Sequence, residues 1–208
     1  DLALRIDFHD NGAMVSPRPA SPSGKLRIIG GSLRGSRIAV PDAPGLRPTP
    51  ERVRETLFNW LAPVIHGARC LDLFAGTGAL GIEALSRGAA QADFVEADAR
   101  LADLLRGNLG RLRQDARVHA ADAQRFLEQG GEHYDVVFLD PPFAANLWGD
   151  AARALETHGR LREAAWIYVE SPANAALELP QNWSPHREGR AGDVRYALYR
   201  RVGASAKL

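Results

Sequence analysis

A carboxylate, two prolines and an aromatic ring share one turn of this chain, Asp140-Pro141-Pro142-Phe143. The Asp140 carboxylate and the Pro141 carbonyl oxygen could accept both hydrogens of a base amino group, which favours the pyramidal amine with an available lone pair. Proline fixes φ and lacks an N–H, so the turn is stiff. Phe143 offers a stacking face, worth about 1–3 kcal/mol per base in other systems. The turn predicts group transfer to an exocyclic base amine; the alternative is a strand-ending turn with Phe143 in the core.

A glycine-rich stretch supplies a second candidate site. Gly76, Gly78 and Gly81 have the G-x-G-x-x-G spacing, and Glu96 follows Gly76 by twenty residues. Glycines let the backbone turn sharply and approach a ligand closely. A carboxylate at the position of Glu96 can accept hydrogen bonds from two ribose hydroxyls. Taken alone, the pattern suits either a nicotinamide dinucleotide or S-adenosylmethionine.

Two further carboxylates favour S-adenosylmethionine. Asp72 precedes Gly76 by four residues in an apolar run, and a buried carboxylate needs a hydrogen-bonding or cationic partner. The cationic end of S-adenosylmethionine could be that partner, whereas a dinucleotide would bring an anionic pyrophosphate. Asp122 could accept from the adenine amino group, with the Ala123 N–H donating to a ring nitrogen. Asp122 could equally cap a helix.

The elements that position these residues alternate between strand and helix. Apolar runs predict strands at 69–74, 92–96, 117–120, 134–139, 166–170, 183–187 and 195–200, with helices over 79–87, 99–113, 123–129 and 148–158. Such alternation indicates an α/β fold with a mostly parallel sheet covered on both faces. Ligands bind such sheets at the carboxyl ends of the strands. The candidate residues fall just after strands, as that rule requires.

A basic segment precedes this alternation. Between residues 25 and 54, seven basic side chains outnumber two acidic ones, although the whole chain carries a net charge of only +1. Short strands at 26–29 and 37–40 predict a hairpin. Thr49 and Pro50 predict an N-cap and a first helical residue, and apolar residues then recur every fourth position from Val53 to Leu61. The charge favours a polyanionic partner, and a solvated arginine-rich face is the alternative.

The remaining features divide the chain and limit its class. We expect a disordered leader over 1–24, with 1–13 vector-derived because Met14 is the only methionine; a basic hairpin and helix over 25–62; a catalytic domain over 63–202; and a tail over 203–208. The single cysteine, Cys70, excludes an intrachain disulfide and fits a reducing cytoplasm. No apolar run is long enough to cross a membrane, and no spacing predicts a metal site.

Nearly the whole chain, from about Leu26 to Arg200, resembles the RsmD family of class I S-adenosylmethionine-dependent methyltransferases. Two of the shared stretches, Asp72 to Gly78 and Asp140 to Phe143, occur across many methyltransferases. The particular ones are Arg27-Ile28-Ile29-Gly30-Gly31 and the segment from Leu46 to Asn59. The resemblance implies a Rossmann-like, seven-stranded, mostly parallel sheet with the last strand antiparallel, preceded by a small hairpin and helix.

The resemblance also implies an activity and its residues. Members methylate N2 of the guanine conventionally numbered 966 in 16S rRNA, on the assembled small ribosomal subunit in the cytoplasm. Carried over by position, Asp72, Gly76, Gly78, Glu96, Asp122 and Ala123 bind the cofactor, and Asp140, Pro141 and Phe143 hold the amine. For the phosphates of the RNA we select Arg27, Arg34, Arg37, Arg47 and Arg52. We expect a monomer with no metal and no membrane contact.

Three other functions are compatible with parts of the sequence. An adenine-N6 methyltransferase acting on DNA or RNA would use the same amine-holding turn, so only the N-terminal resemblance favours guanine. A nicotinamide-dependent oxidoreductase would explain the glycine spacing, but Asp72 and the proline turn argue against it. A ribosome-binding module without catalysis would not need the Asp140 turn.

Overall fold

The computed structural model describes residues 22–43, 46 and 48–203. Nine strands, five α-helices and one short 3₁₀-helix (Phe143–Ala145) follow one another within these ranges. The strands are β1 (Pro22–Arg27), β2 (Arg37–Pro41), β3 (Arg69–Asp72), β4 (Gln91–Glu96), β5 (Arg117–Ala120), β6 (Tyr134–Leu139), β7 (Leu161–Pro172), β8 (Trp183–Ala191) and β9 (Val194–Arg201). The helices are α1 (Glu51–Leu61), α2 (Ala79–Ser86), α3 (Ala99–Arg111), α4 (Ala123–Glu128) and α5 (Trp148–Thr157).

Seven strands form the main sheet in the order β5-β4-β3-β6-β7-β9-β8. The pairs from β5 to β7 are parallel, and β9 runs antiparallel between β7 and β8. The predicted seven-stranded sheet with an antiparallel last strand is therefore confirmed. The order reverses at β3, so the edge after β3 is the switch point where ligands bind in such sheets.

Two hydrophobic clusters cover the two faces of the sheet. One face carries Phe138 and Tyr168 and packs against α1 and α2, while the other carries Val137 and Ile167 and packs against α4 and α5. Adjacent residues of a strand point to opposite faces, which explains why β6 is buried on both sides and reads as an unbroken apolar run. The same alternation places Asp140, two residues after Phe138, on the α1 side.

The N-terminal hairpin, β1 and β2, is antiparallel and docks on α2 through polar groups. Ile29 and Gly30 donate backbone N–H groups to the Glu83 carboxylate at 3.0 and 2.8 Å. Gly31 has a φ of +78°, and a Cβ there would collide with the Ser86 carbonyl oxygen. The Gly-Gly pair therefore serves a close backbone approach between the hairpin and the end of α2.

The beginning of α1 differs from the sequence prediction. Pro50 occupies the N-cap position without a side-chain cap bond, and the helix begins at Glu51. The Thr49 hydroxyl, predicted to cap this helix, donates instead to Glu170 Oε2 at 3.3 Å. The Thr49 side chain therefore bonds to Glu170 of β7 instead of capping α1. The prediction of Thr49 as N-cap and Pro50 as first helical residue was wrong.

Some predicted segments lie outside the residues that the structure describes. Residues 1–21 and 204–208, which hold most of the predicted leader and tail, lie outside the described residues, as does Arg47. Within the described ranges, no helix is long and apolar enough to cross a bilayer. The same ranges contain no group of three or more His, Cys, Asp or Glu side chains arranged to hold a metal ion.

Candidate active site

Acidic residues line the carboxyl edge of the sheet. Asp72 ends β3, Glu96 ends β4, Asp122 follows β5, Asp140 follows β6 and Glu170 lies near the end of β7. Five neighbouring parallel strands thus deliver five carboxylates to the edge where such sheets bind ligands. The predicted site residues on β3, β4, β5 and β6 share this edge.

The turn after β3 requires glycine at two positions, Gly76 and Gly78, and the Glu96 side chain fixes it. Gly76 and Gly78 have positive φ values of 53° and 77°, and a Cβ on Gly78 would collide with Leu105. Glu96 Oε2 accepts the Gly76 N–H at 2.8 Å, and its Oε1 accepts the Asp98 N–H at 2.8 Å. Each carboxylate oxygen has two acceptor positions, so Glu96 retains one on each oxygen for a pair of hydroxyls.

Asp72 lies buried beneath this turn. Its Oδ2 accepts the Gly81 N–H at 3.0 Å. Burial is the main reason that the pKa of Asp72 rises to about 7, with a further contribution from the Glu96 charge, while the Gly81 N–H opposes the shift. A nearby cation would favour the charged form of this carboxyl group. The residue therefore fits the cationic end of S-adenosylmethionine.

The first turn of α2 argues against a dinucleotide. A pyrophosphate binds a helix N-terminus through its free N–H groups. Here the Ala79 N–H donates to Thr77 Oγ1 at 3.3 Å and the Gly81 N–H donates to Asp72. These donors already have acceptors, and Asp72 in its ionised form would repel a phosphate.

Asp122 and Ala123 mark the beginning of α4. Asp122 Oδ1 accepts the Arg125 N–H at 3.1 Å and caps the helix, which leaves its second oxygen for a ligand. Ala123 is the first helical residue, where a backbone N–H has no partner within the helix. A cleft of about 440 Å³ opens beside both residues, and Phe74 and Leu147 also line it. The two groups thus have the placement expected for reading an adenine edge.

The Asp140 turn combines a half-buried carboxylate with an exposed ring. Burial raises the pKa of Asp140 well above its usual value, and the charges of Glu170 and Asp72 raise it further. Pro141 is buried, whereas Phe143 is 38% exposed, which excludes the alternative that it fills the core. The Phe143 ring packs against the ring of buried Trp148, with 5.7 Å between the ring centroids. The turn thus presents an acceptor and a supported aromatic face together.

Glu170 is the residue that the sequence interpretation missed. It is buried, and its Oε2 accepts hydrogen bonds from the Tyr168 hydroxyl at 2.9 Å and from Thr49. The signal was present, since Glu170 ends a predicted apolar strand just as Glu96 does. It went unused because no motif surrounds it.

The selected arginines divide by position. Arg52 is exposed in the first turn of α1, near Thr49 and the carboxyl edge. Arg34 is exposed in the turn that docks on Ser86, one α2 length or about 12 Å from the glycine turn. Arg27 is exposed but forms an ion pair with Glu51 at 3.0 Å, and Arg37 is exposed on β2. Of the four, Arg52 is nearest in sequence to Thr49, whose hydroxyl bonds to Glu170 at the carboxyl edge.

Sheet order, glycine turn and acidic edge together define a Rossmann-like class I methyltransferase. A model of the family described as Conserved hypothetical protein 95 matches residues 26–200. The chain belongs to this family, and the resemblance inferred from sequence is confirmed.

Two named relatives and a solved structure support the same family. "Ribosomal RNA small subunit methyltransferase D" of Escherichia coli K12 is 54% identical over 183 residues, covering 87% of this chain and 92% of the relative. The Haemophilus influenzae protein of the same name is 46% identical over 181 residues, covering 85% and 94%. A solved structure of the Escherichia coli protein yhhF superposes with a TM-score of 0.81 at 50% identity, covering 86% of this chain and 99% of that one.

Proposed function

We propose that this chain transfers the methyl group of S-adenosylmethionine to the exocyclic N2 amine of a guanine in 16S rRNA. The observation that carries the proposal is the Asp140 turn, which lies at the same sheet edge as Asp72 and Glu96. The relatives named as small-subunit rRNA methyltransferases support the substrate class. The same names favour small-subunit rRNA over a DNA substrate.

The cofactor's contribution is an electrophilic methyl group on a sulfonium. Asp72 would bind its cationic end, Glu96 its ribose hydroxyls, and Asp122 with the Ala123 N–H its adenine. The glycine turn would let the backbone approach without steric hindrance from side chains.

The remaining residues act on the acceptor. Asp140 and the Pro141 carbonyl would hold the two N2 hydrogens, so that the lone pair points to the methyl carbon in line with sulfur. Phe143 would stack on the splayed base. Once methylated, the amine would be acidic, and Asp140 or water would take one of its protons. The raised pKa of Asp140 makes it a suitable acceptor.

The expected partner and the cellular location follow from the proposed substrate. A base in an rRNA loop can be splayed into a pocket more cheaply than one in a duplex. We infer that a monomer acts on the assembled small subunit, in the cytoplasm where such subunits occur. The exposed arginines before and within α1 would contact phosphates.

The deciding experiment follows labelled methyl from S-adenosylmethionine into small subunits that lack the modification, with naked rRNA and DNA in parallel. Digestion then identifies the nucleoside. N2-methylguanine on the subunit, lost in the Asp140→Ala variant, is expected. N6-methyladenine or label in DNA would refute the guanine assignment, and near-normal turnover by Asp140→Ala would refute the role of that carboxylate.

A further inference from the structure

Glu170 lies level with Asp140 across the β6–β7 pair. The parallel register joins Phe138 to Tyr168 and Leu139 to Val169, so the next residues along are Asp140 and Glu170. Neighbouring strands are about 4.8 Å apart, and residues two apart share a face. The two carboxylates therefore lie side by side on the α1 face, at the edge that receives the substrate.

Three contacts fix the orientation of Glu170. The Tyr168 hydroxyl and Thr49 Oγ1 both donate to Oε2, at 2.9 and 3.3 Å. The Trp148 indole donates to the Glu170 carbonyl oxygen at 2.8 Å, and that indole also supports Phe143. Within the described part of the chain, both donors to the carboxylate bind Oε2 and none binds Oε1. The side chain is thus held with one oxygen engaged and the other available.

We propose that Glu170 selects guanine, with Oε1 accepting the N1–H while Asp140 and Pro141 hold the neighbouring N2 amine. The inference rests on the proposed function and names the group that reads the base. Guanine carries N1–H and N2–H₂ as adjacent donors, and two adjacent carboxylates match them. Adenine has an acceptor at N1, which would face Glu170 with no hydrogen between them. Such a mismatch in a buried polar site is strongly disfavoured.

The electrostatics of the pair support this assignment. Burial raises the pKa of Glu170 although Tyr168 and Thr49 oppose the shift, and the charge of Glu170 helps to raise the pKa of Asp140. Two carboxylates that repel each other in a poorly solvated place are stabilised by donors that reach both. A guanine edge supplies such donors without bringing a charge.

The test compares guanine with 2-aminopurine at the target position of reconstituted small subunits. 2-Aminopurine keeps the N2 amine but has an acceptor at N1. We expect wild-type kcat/KM to be about 5- to 150-fold lower for 2-aminopurine, the range for one base contact. Glu170→Gln should lose most of this preference, because its amide can turn an N–H towards the acceptor. The missing O6 of 2-aminopurine affects both enzymes and cancels in the ratio.

The control is Glu163→Gln, an exposed position on the same strand, which should keep the wild-type preference. Equal loss on both bases in Glu170→Gln would mean that Glu170 only anchors Thr49, and would overturn the inference. Equal wild-type rates on the two bases would also overturn it, even if the variant fails to fold. Wild-type transfer to adenine instead of guanine would refute the proposed function itself, and with it the proposal that Glu170 recognises guanine.

Discussion

Asp72 carries a carboxyl group where burial opposes its charge, and its pKa is raised to about 7. A bound cation favours the ionised form, so below this pKa cofactor binding must release a proton. The affinity for S-adenosylmethionine should therefore rise with pH between about 5.5 and 7 and then level off. Asp72→Asn should bind more weakly and lose the part of this rise that Asp72 causes. Titration calorimetry at several pH values measures both effects.

The matched control for this prediction is Asp103→Asn, an exposed carboxyl group on α3. It should retain the pH dependence of the unaltered protein. If Asp72→Asn also retains the full dependence, the titrating group lies elsewhere, and Asp140 becomes the first candidate because its pKa is raised too.

Phe143 is one of two large apolar side chains that are strongly exposed in the described residues. Stacking of a base on it is worth about 1–3 kcal/mol, so Phe143→Ala should lower kcat/KM for the subunit by about 5- to 150-fold. Stability should change little, because an exposed ring loses little packing. Steady-state kinetics and urea unfolding of the same variant separate the two effects.

Val202 offers the comparison for Phe143, since it is equally exposed at 38%. Val202→Ala should leave kcat/KM unchanged. Loss of stability in Phe143→Ala without loss of kcat/KM would mean that the ring serves Trp148 rather than the substrate.

At the scale of elements, local patterns predicted the strands well where burial is continuous. β6 has the predicted bounds because it is a buried apolar run between polar turns, and β5 has them too although its residues are exposed or only partly buried. β7 is much longer than the predicted 166–170, since Leu161 pairs with Tyr134 and the exposed residues 162–164 that follow it give no apolar signal. α1 begins one residue late because Thr49 bonds to Glu170, 121 positions away in sequence. Contacts between distant segments explain what the sequence pattern could not predict.

The packing of the hairpin against α1 and α2 centres on Glu83. Its carboxylate accepts from the Ile29 and Gly30 N–H groups, from Arg87 at 2.9 Å and from buried Arg54 at 3.5 Å. Arg54 also donates to the carbonyl oxygens of Thr49 and Arg27, each at 3.1 Å. The family-like segment around Arg54 is thus structural at this residue, not part of an RNA surface.

This network predicts an order of stabilities. Glu83→Leu leaves the buried Arg54 guanidinium without its carboxylate and two backbone N–H groups without an acceptor. It should lower the free energy of unfolding by about 3–5 kcal/mol. Arg54→Met should cost less, because Glu83 keeps Arg87 and both backbone donors. Urea unfolding checks the order. A larger loss in Arg54→Met than in Glu83→Leu would contradict the view that Glu83 is the centre of the network.

For the whole molecule, the structure changes how the basic segment is understood. The sequence predicted a +5 excess over residues 25–54, but Arg54 is buried with Glu83 and Arg27 pairs with Glu51. Among the described residues of this segment, the exposed basic side chains without an ion pair to another described residue are Lys25, Arg34, Arg37 and Arg52. We propose that these side chains supply the basic surface that contacts RNA phosphates. Burial and pairing are tertiary facts, so charge counting along the chain could not separate the two groups.

This basic surface sets a salt dependence for subunit binding. Each phosphate contact contributes about 0.7–0.9 to the slope of log K against log salt concentration. The triple variant Arg34→Ala, Arg37→Ala, Arg52→Ala should therefore bind more weakly and show a slope shallower by about 2 to 3. Arg106→Ala, exposed on α3 and paired with Asp103, is the control and should leave the slope unchanged. Filter binding at several salt concentrations measures the slope.

An unchanged slope in the triple variant would mean that the RNA approaches another face. A reduction caused by Arg52→Ala alone would confine the phosphate contacts to the edge beside Thr49, and would remove Arg34 and Arg37 from the RNA surface.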